Sequence, residues 1–350
     1  MRAYHVIGLM SGTSLDGIDL CYVKFEQDER LQYELIHSKA VKYSLNMENR
    51  LKDAESLSAL DLAILDIDLG KIFGAEINLF IQENKLDHID AIASHGHTIF
   101  HRPELNFSTQ IGSPSQIYAL TSIKTIADFR SIDTALGGHG APLVPIGDTL
   151  LFGQYDHCLN LGGIANVSLT DSDQENSKAF DIVVCNMALN HVAQLFGLPY
   201  DDDGKIAAQG KVDVDLLESL NKFEFLNQPP PKSLGKEQFQ SFYLPLLANY
   251  NGSNHVLMAT LIKHIGIQIG RILEDGTCLV TGGGAFNSVL IESIKTHSNC
   301  QLEIPSNEII EFKEAIVFGL LGYLKLTNQV NTLASVTGAS RDSIGGCIYG

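Results

Sequence analysis

The sequence is poor in positive charge: 24 lysines and arginines stand against 41 aspartates and glutamates, giving a formal net charge of -17. Such a chain lacks the basic field that nucleic acids and anionic membranes attract, so neither is expected as a partner. Any bound phosphate must then be held by local geometry. Paired thiols are missing too. Cys21, Cys158, Cys185, Cys278, Cys300 and Cys347 are scattered without a Cys-x-x-Cys pair, and a chain of this length needs no disulfide staples, so reduced cytoplasmic thiols are expected. No apolar run approaches the ~20 residues that cross a bilayer, and Met1-Arg2-Ala3 leads into a β-prone segment without the apolar region of a secretory signal. A soluble, cytoplasmic protein is the expectation. There is no Walker loop either, because Gly235-Lys236 is followed by Glu237 and lacks the upstream glycine.

What is present is enough apolar residue for more than one core. At 350 residues and 45% hydrophobic content, two domains are predicted. The most demanding stretch is Gly8-Leu9-Met10-Ser11-Gly12-Thr13-Ser14-Leu15-Asp16-Gly17-Ile18-Asp19, between the β-prone Tyr4–Ile7 and Leu20–Phe25. It reads as a hairpin whose tip offers backbone N–H groups and hydroxyls to an anion, with no Cβ in the way at its glycines. Asp16 and Asp19 would repel a bare polyphosphate but fit one screened by a divalent cation, directly or through water. The plainer alternative is a glycine-rich turn with solvated carboxylates.

Further along, Tyr33–His37 continues a meander and an amphipathic helix is expected from about Ser58 to Asn84. Ile89–Ala93 reads as a buried strand ending in Ser94-His95-Gly96-His97-Thr98. Strand alternation sends His95 and His97 to one face with no carboxylate or thiolate in register, so hydrogen bonding to a polar ligand or packing is favoured over a metal. Ser113-Pro114 opens a helix. After Thr125–Asp128, the long segment Phe129–Pro145 carries Arg130, which suits a carboxylate or phosphate clamp or else a salt bridge with Asp128 or Asp133. Asp156–Leu169 repeats the strand, glycine turn, strand design at Asn160, Gly162 and Gly163, which suggests duplicated α/β halves. Asp181 is placed at a strand-to-helix mouth, where it fits a general base, a cap for the helix that begins near Asn186, or a water-mediated Mg²⁺ contact. Gly282, Gly283 and Gly284 end another strand in a turn that a base or ribose can approach closely. Lys313 and Glu314 begin an otherwise apolar helix; Glu314 suits a site or simple dipole complementation.

Taken together, these motifs resemble the anhydro-N-acetylmuramic acid kinase family, of the actin, hexokinase and Hsp70 ATPase superfamily, nearly end to end. The resemblance implies an α/β, duplicated actin-like (ribonuclease H-like) two-domain fold with a central nucleotide and sugar cleft. It places domain I at residues 1–128 plus about 312–350 and domain II at 129–311. It implies a kinase that uses ATP and Mg²⁺ to open the 1,6-anhydro ring of 1,6-anhydro-N-acetylmuramic acid with water and phosphorylate oxygen 6, in cell-wall recycling. Gly12, Thr13, Ser14, Leu15, Asp16, Gly17, Ile18 and Asp19 correspond to the ATP-phosphate loop. Asn160, Gly162 and Gly163 match the second phosphate turn, and Gly282–Gly284 the adenosine turn. Asp181 matches the catalytic base, and His97, Thr98, Arg130 and Glu314 fall at sugar-pocket positions. The Mg²⁺ ligands are left unassigned. An amino sugar is the expected partner, with a homodimer open. A kinase for a related amino sugar, or a non-catalytic sensor of the same fold, is the alternative. The sensor reading comes from one departure: Ile182-Val183-Val184-Cys185 stands where many members have Thr-Gly-Pro-Gly. His97 also stands where glutamine is common.

Overall fold

The computed structural model describes residues 2–12, 15, 17–169, 178–230 and 232–350. The chain opens with β1 (Tyr4–Ser11), β2 (Ile18–Gln27) and β3 (Leu31–Val41), an antiparallel meander built from β-branched and aromatic residues. The helix α1 (Ala59–Asn84) follows. Ser58 starts it, its Oγ accepting the Asp61 N–H, and Lys85 ends it in the left-handed conformation at φ 52°. Leu65, Leu69, Phe73, Ile77 and Phe80 recur every three or four residues on its buried face and pack with Ile7, Leu9 and Leu20. Full burial of each such side chain contributes about 1.5–3 kcal/mol, so this stripe fixes the helix on the sheet. Then come β4 (Ala91–Arg102), β5 (Phe107–Ile111), α2 (Pro114–Thr121) and β6 (Thr125–Ala127).

A second run has the same plan. β7 (His157–Leu161), β8 (Ile164–Leu169) and β9 (Lys178–Val184) form an antiparallel meander. α3 (Asn186–Gln194) and α4 (Asn254–Gly270) precede β10 (Thr277–Thr281), and α5 (Ser288–His297) leads to β11 (Gln301–Glu303). The chain closes with α6 (Asn307–Leu326) and β12 (Cys347–Tyr349). One sheet has the order β12-β6-β4-β1-β2-β3, with β5 on β4, and the other β11-β10-β7-β8-β9. β4 and β10 run parallel to the first strand of their meanders, and β6 and β11 run parallel to them. Each sheet therefore reads 3-2-1-4-5 with one antiparallel meander, the duplicated ribonuclease H-like arrangement expected of an actin-like chain. Among the described residues no helix is long and apolar enough to cross a membrane.

The chain divides into one compact unit of residues 1–151 with 312–350 and another of 152–311. The expected first boundary at 128 is too early. Residues 129–151 are bound into the first unit by buried polar contacts that a sequence does not announce. Asp133 accepts the Gly140 N–H and the Thr337 hydroxyl, Lys313 lies 2.6 Å from Asp148 with both side chains almost fully buried, and a Cβ on Gly147 would strike Val317. β1 also lies directly on α6, since a Cβ on Gly8 would sit 2.0 Å from the Ala315 carbonyl oxygen. That approach sets where Glu314 projects.

Candidate active site

In the first unit, the turn between β1 and β2 needs glycine at its far end. Gly17 has φ 145°, and a Cβ there would fall 2.0 Å from the Val41 carbonyl oxygen. Leu15, at φ 64°, donates its N–H to the Gly12 carbonyl at 3.2 Å. Ile18 is a core residue, so only its backbone can face a ligand. Asp19 is half-buried on β2, paired with Met10. Thr13, Ser14 and Asp16 lie outside the described residues.

The polar cluster expected after a short strand is instead inside one, because β4 continues to Arg102. Gly96 breaks its alternation with φ 76°, and the β1–β4 register shifts between Leu9 and Ser11. His95 and His97 therefore do not share partners as alternation predicts. His97 Nδ1 is 2.9 Å from Ser11 Oγ, which is 2.6 Å from the Tyr43 hydroxyl, and burial lowers the His97 pKa to about 4. Neutral imidazole is its resting state. Thr98 Oγ1 accepts from Gln110.

His95 packs against Phe318 of α6, with ring centroids 4.5 Å apart. Its Nδ1 lies 3.0 Å from the Gly96 carbonyl oxygen, and its Nε2 accepts from Arg130 Nε at 3.2 Å and Nη2 at 2.8 Å. Arg130 Nη1 donates to the Gly140 carbonyl at 2.5 Å. Neither expected salt bridge forms: Asp133 is taken up by Gly140 and Thr337, and Asp128 receives the Ser131 N–H. Among the described residues no carboxylate lies within ion-pair distance of Arg130. Burial lowers its pKa to about 10, while Glu314 and Asp133 favour the charge from farther away. This is a desolvated cation with neutral hydrogen-bond partners, an arrangement that an incoming anion would complete. Glu314 lies two turns inside α6, not in its first turn, so the dipole explanation fails. Its side chain keeps accessible surface, yet desolvation raises its carboxyl pKa, opposed by Arg130 and Lys313.

In the second unit, register aligns Thr281 with Asn160, Asn160 with Asn166, and Asn166 with Asp181. The neighbours Leu159, Leu161, Ala165, Val167, Phe180 and Ile182 belong to the core, so Asn160, Asn166 and Asp181 form a polar rank on the opposite face. Asp181 does not end its strand; β9 runs on to Val184. It does not cap α3 either, whose Ncap is Cys185. A bulge follows it, because Asn166 pairs with Asp181 and Ala165 with Val183, leaving Ile182 without a partner.

One Asp181 oxygen, Oδ2, accepts the Leu234 N–H at 2.7 Å and the Ser233 hydroxyl at 3.1 Å. Its Oδ1 accepts nothing from the described residues. Desolvation raises the carboxyl pKa and the two hydrogen bonds hold it down. Lys232, next in sequence to Ser233, is turned away and bonded to the Phe225 and Leu226 carbonyls. The result is a half-buried carboxylate fixed at one oxygen and open at the other.

The glycine turns meet beside this rank. Gly282 has φ 80°, and a Cβ there would lie 2.4 Å from Asn160 Oδ1; one on Gly284 would lie 2.7 Å from the Leu161 Cβ. At Gly163 and Gly283 a Cβ would meet nothing nearer than 3.9 Å. Two glycines thus allow close packing, and two leave room above the backbone. Asn186 joins the turns, its side-chain amide donating to the Leu161 carbonyl at 2.8 Å and its N–H to that of Gly162 at 3.1 Å.

Sequence reasoning passed over Tyr43, Ser233 and Leu234. The partners of Asp181 lie about 50 residues away from it, with no local signature. Comparison with known proteins gives a consistent result. The family model described as Anhydro-N-acetylmuramic acid kinase matches residues 4–350. A protein of that name from Bacillus thuringiensis subsp. konkukian is 34% identical over 98% of both chains. One from Shewanella loihica is 34% identical over 100% of this chain and 99% of its own. Among solved structures, the Acidaminococcus fermentans (R)-2-hydroxyglutaryl-CoA dehydratase component A is similar at a TM-score of 0.49 and 11% identity, covering 93% of this chain and 99% of that one.

Proposed function

The chain belongs to the anhydro-N-acetylmuramic acid kinase family, and we propose that it converts 1,6-anhydro-N-acetylmuramic acid, ATP and water to N-acetylmuramic acid 6-phosphate and ADP. The observation that carries this reading is the half-buried Asp181 carboxylate, anchored through Oδ2 while Oδ1 accepts no hydrogen bond from the described residues. Asp181 Oδ1 takes a proton from a water whose oxygen bonds to the anomeric carbon. The bond from that carbon to oxygen 6 breaks, and oxygen 6 takes the γ-phosphoryl group as its bond to ADP breaks. A pKa raised by desolvation makes Asp181 a stronger base than a solvated aspartate.

Arg130 supplies the positive charge for the lactyl carboxylate of the sugar, its fork already oriented by His95 and Gly140. His97, held by Ser11, and Thr98 offer hydrogen bonds to the sugar, and Glu314, which interacts electrostatically with Arg130, is assigned to the sugar as well. The backbone at Gly12, Leu15 and Gly17, with the turns at Gly162–Gly163 and Gly282–Gly284, receives ATP. The open space at Gly163 and Gly283 fits that role. Mg²⁺, when bound, would neutralise phosphate charge, and Asp19 is the described carboxylate of the first hairpin that would hold it through water. Positioning and preorganised charge supply most of the rate.

The test is turnover in oxygen-18 water followed by mass analysis of the product. The label must appear on the anomeric carbon; label in phosphate instead would mean plain ATP hydrolysis and would refute the reading. The buried run Ile182–Val184, which replaces the family's glycine-containing turn, supports a second reading as a nucleotide- and sugar-binding sensor. ADP release stimulated by the anhydro-sugar separates the two.

A further inference from the structure

Away from every residue given a role above, His5, His88 and Asp90 converge where β1 begins and the chain approaches β4. One donor atom from each lies within 4.8 Å of the others. His88 Nε2 is 3.2 Å from Asp90 Oδ2, and the two imidazoles meet edge to face with centroids 5.6 Å apart. The cluster is built into its surroundings. Asp90 Oδ2 accepts the His5 backbone N–H at 2.8 Å and Oδ1 accepts from Arg2 at 2.6 Å. Tyr22 stacks on the His5 ring and donates its hydroxyl to the His88 carbonyl at 2.7 Å.

One atom of this cluster is unaccounted for: His5 Nδ1 is closed off from solvent and has no hydrogen-bond partner among the described residues. Buried imidazole nitrogens ordinarily find a partner, because leaving one unmade forfeits hydration without return.

We propose that His5, His88 and Asp90 bind one divalent transition-metal ion of the zinc class. Two imidazoles and a carboxylate match the donor set that zinc takes with an exchangeable fourth position, whereas magnesium and calcium prefer oxygen alone. Donors around a tetrahedral zinc stand about 3.3 Å apart, given bonds of about 2.0–2.1 Å. His88 Nε2 and Asp90 Oδ2, 3.2 Å apart, already have that spacing, and the His88 side chain is 63% exposed and free to adjust. The His5 N–H and Arg2 then orient the carboxylate from outside, and Arg2, 67% exposed, keeps most of its charge in water. An ion here would tie the start of β1 to the segment leading into β4, the strands that carry Ser11 and His97.

The experiment uses the full chain, stripped by chelator and dialysed, with zinc alone as the probe. One equivalent should bind and raise the unfolding temperature, and cobalt in its place should give the visible absorption of a tetrahedral site. His88→Ala, at an exposed position, should keep the fold by circular dichroism while weakening zinc binding at least ~10-fold and removing the thermal shift. Asp90→Asn should act in the same direction. Absence of retained zinc in the parent, or zinc bound by His88→Ala as tightly as by the parent, would overturn the proposal; the second result would point to the cysteines. Should His88→Ala misfold, His88→Gln gives the same comparison, and the cobalt spectrum of the parent decides independently of any variant.

Discussion

Replacing Asp181 with asparagine tests the proposed base, because the geometry separates its two oxygens. The asparagine oxygen can occupy the Oδ2 position and still accept the Leu234 N–H and the Ser233 hydroxyl. Hydrogen bonds to a charged acceptor are worth about 1.5–3 kcal/mol and neutral ones about 0.5–1.5, so the brace weakens by roughly 1 kcal/mol per bond. Removing the desolvated charge, which raises the carboxyl pKa, returns part of that. The net cost should stay near ~1 kcal/mol, a shift of about 2–4 °C in the melting temperature for a unit of this size. Turnover should respond on another scale. With the amide at the open position, no group takes the water proton, and kcat should fall ~10²–10⁴-fold, at least about 2.7 kcal/mol of barrier, while sugar and ATP affinities hold. The acid limb of the parent kcat/KM profile should lie above the ordinary aspartate value of 3.8, since the base is lost as pH falls through a raised pKa, and the variant should lack that limb. Asp181→Ala should differ by melting several degrees lower, because it leaves the Leu234 N–H unpaired. The assay is steady-state kinetics and thermal unfolding on the same three proteins. A kcat for Asp181→Asn within about threefold of the parent, under ~1 kcal/mol, would refute Asp181 as the base.

Arg130→Lys should weaken sugar binding ~10-fold or more with ATP affinity nearly unchanged, because a single ammonium cannot serve His95, Gly140 and a carboxylate at once; calorimetry with each ligand checks it, and equal losses would make the arginine purely structural. Gly282→Ala should destabilise by ~1–3 kcal/mol in denaturant unfolding, since φ 80° disfavours a side chain and the new Cβ would press on Asn160; an unchanged midpoint would contradict that contact. His97 carries a pH signature. Its folded pKa of about 4 lies below the ordinary histidine value of 6.5, so the folded state resists the proton, and stability present above pH 6.5 drains as pH falls toward 4. By linkage this amounts to about 3 kcal/mol at pH 4. The stability difference between the parent and His97→Gln should therefore shift against the parent by that order between pH 7 and 4; a constant difference would mean that His97 is not held neutral.

Regular periodicity made much of the fold legible. The helix expected from about Ser58 to Asn84 spans Ala59–Asn84, and both glycine-tipped hairpins lie between antiparallel strands. Reading failed where backbone conformation or distant contacts decide. β4 continues through Ser94-His95-Gly96-His97-Thr98 because pairing with β1 and β5 outweighs polar composition, and a positive φ at Gly96 then gives the two histidines different partners. The expected boundary at 128 falls before the one observed, because Asp133 beyond it is satisfied by Thr337, about 200 residues later. Arg130 was weighed against carboxylates, whereas its partners are a neutral imidazole and a carbonyl. A charge pattern cannot reveal that pairing, which depends on His95 being buried beneath α6.

The stretch after Asp181 shows how this chain can keep an acid in place while losing glycines. Ile182, Val183, Val184 and Cys185 are all buried, which strict strand alternation would forbid. The bulge at Ile182 accounts for the first step, because the residue without a partner breaks the alternation and lets both Ile182 and Val183 join the core. A β-branched run costs little backbone entropy on ordering compared with glycine, so the segment is more rigid than a glycine-containing turn in its place would be. Rigidity alone would not aim a carboxylate. The aim comes from outside the strand, since the backbone N–H of Asp181 donates to the Lys232 carbonyl at 3.1 Å while its side chain receives Ser233 and Leu234. The 232–234 segment therefore lies along β9 like an extra edge and fixes main chain and side chain together. Asn186 remains at the far end of the altered run, still bonded to the Leu161 and Gly162 carbonyls of the hairpin turn. Both ends of the stretch are thus held by contacts that do not depend on the four residues between them, and apolar side chains can replace the glycines there without moving Asp181 or the turn.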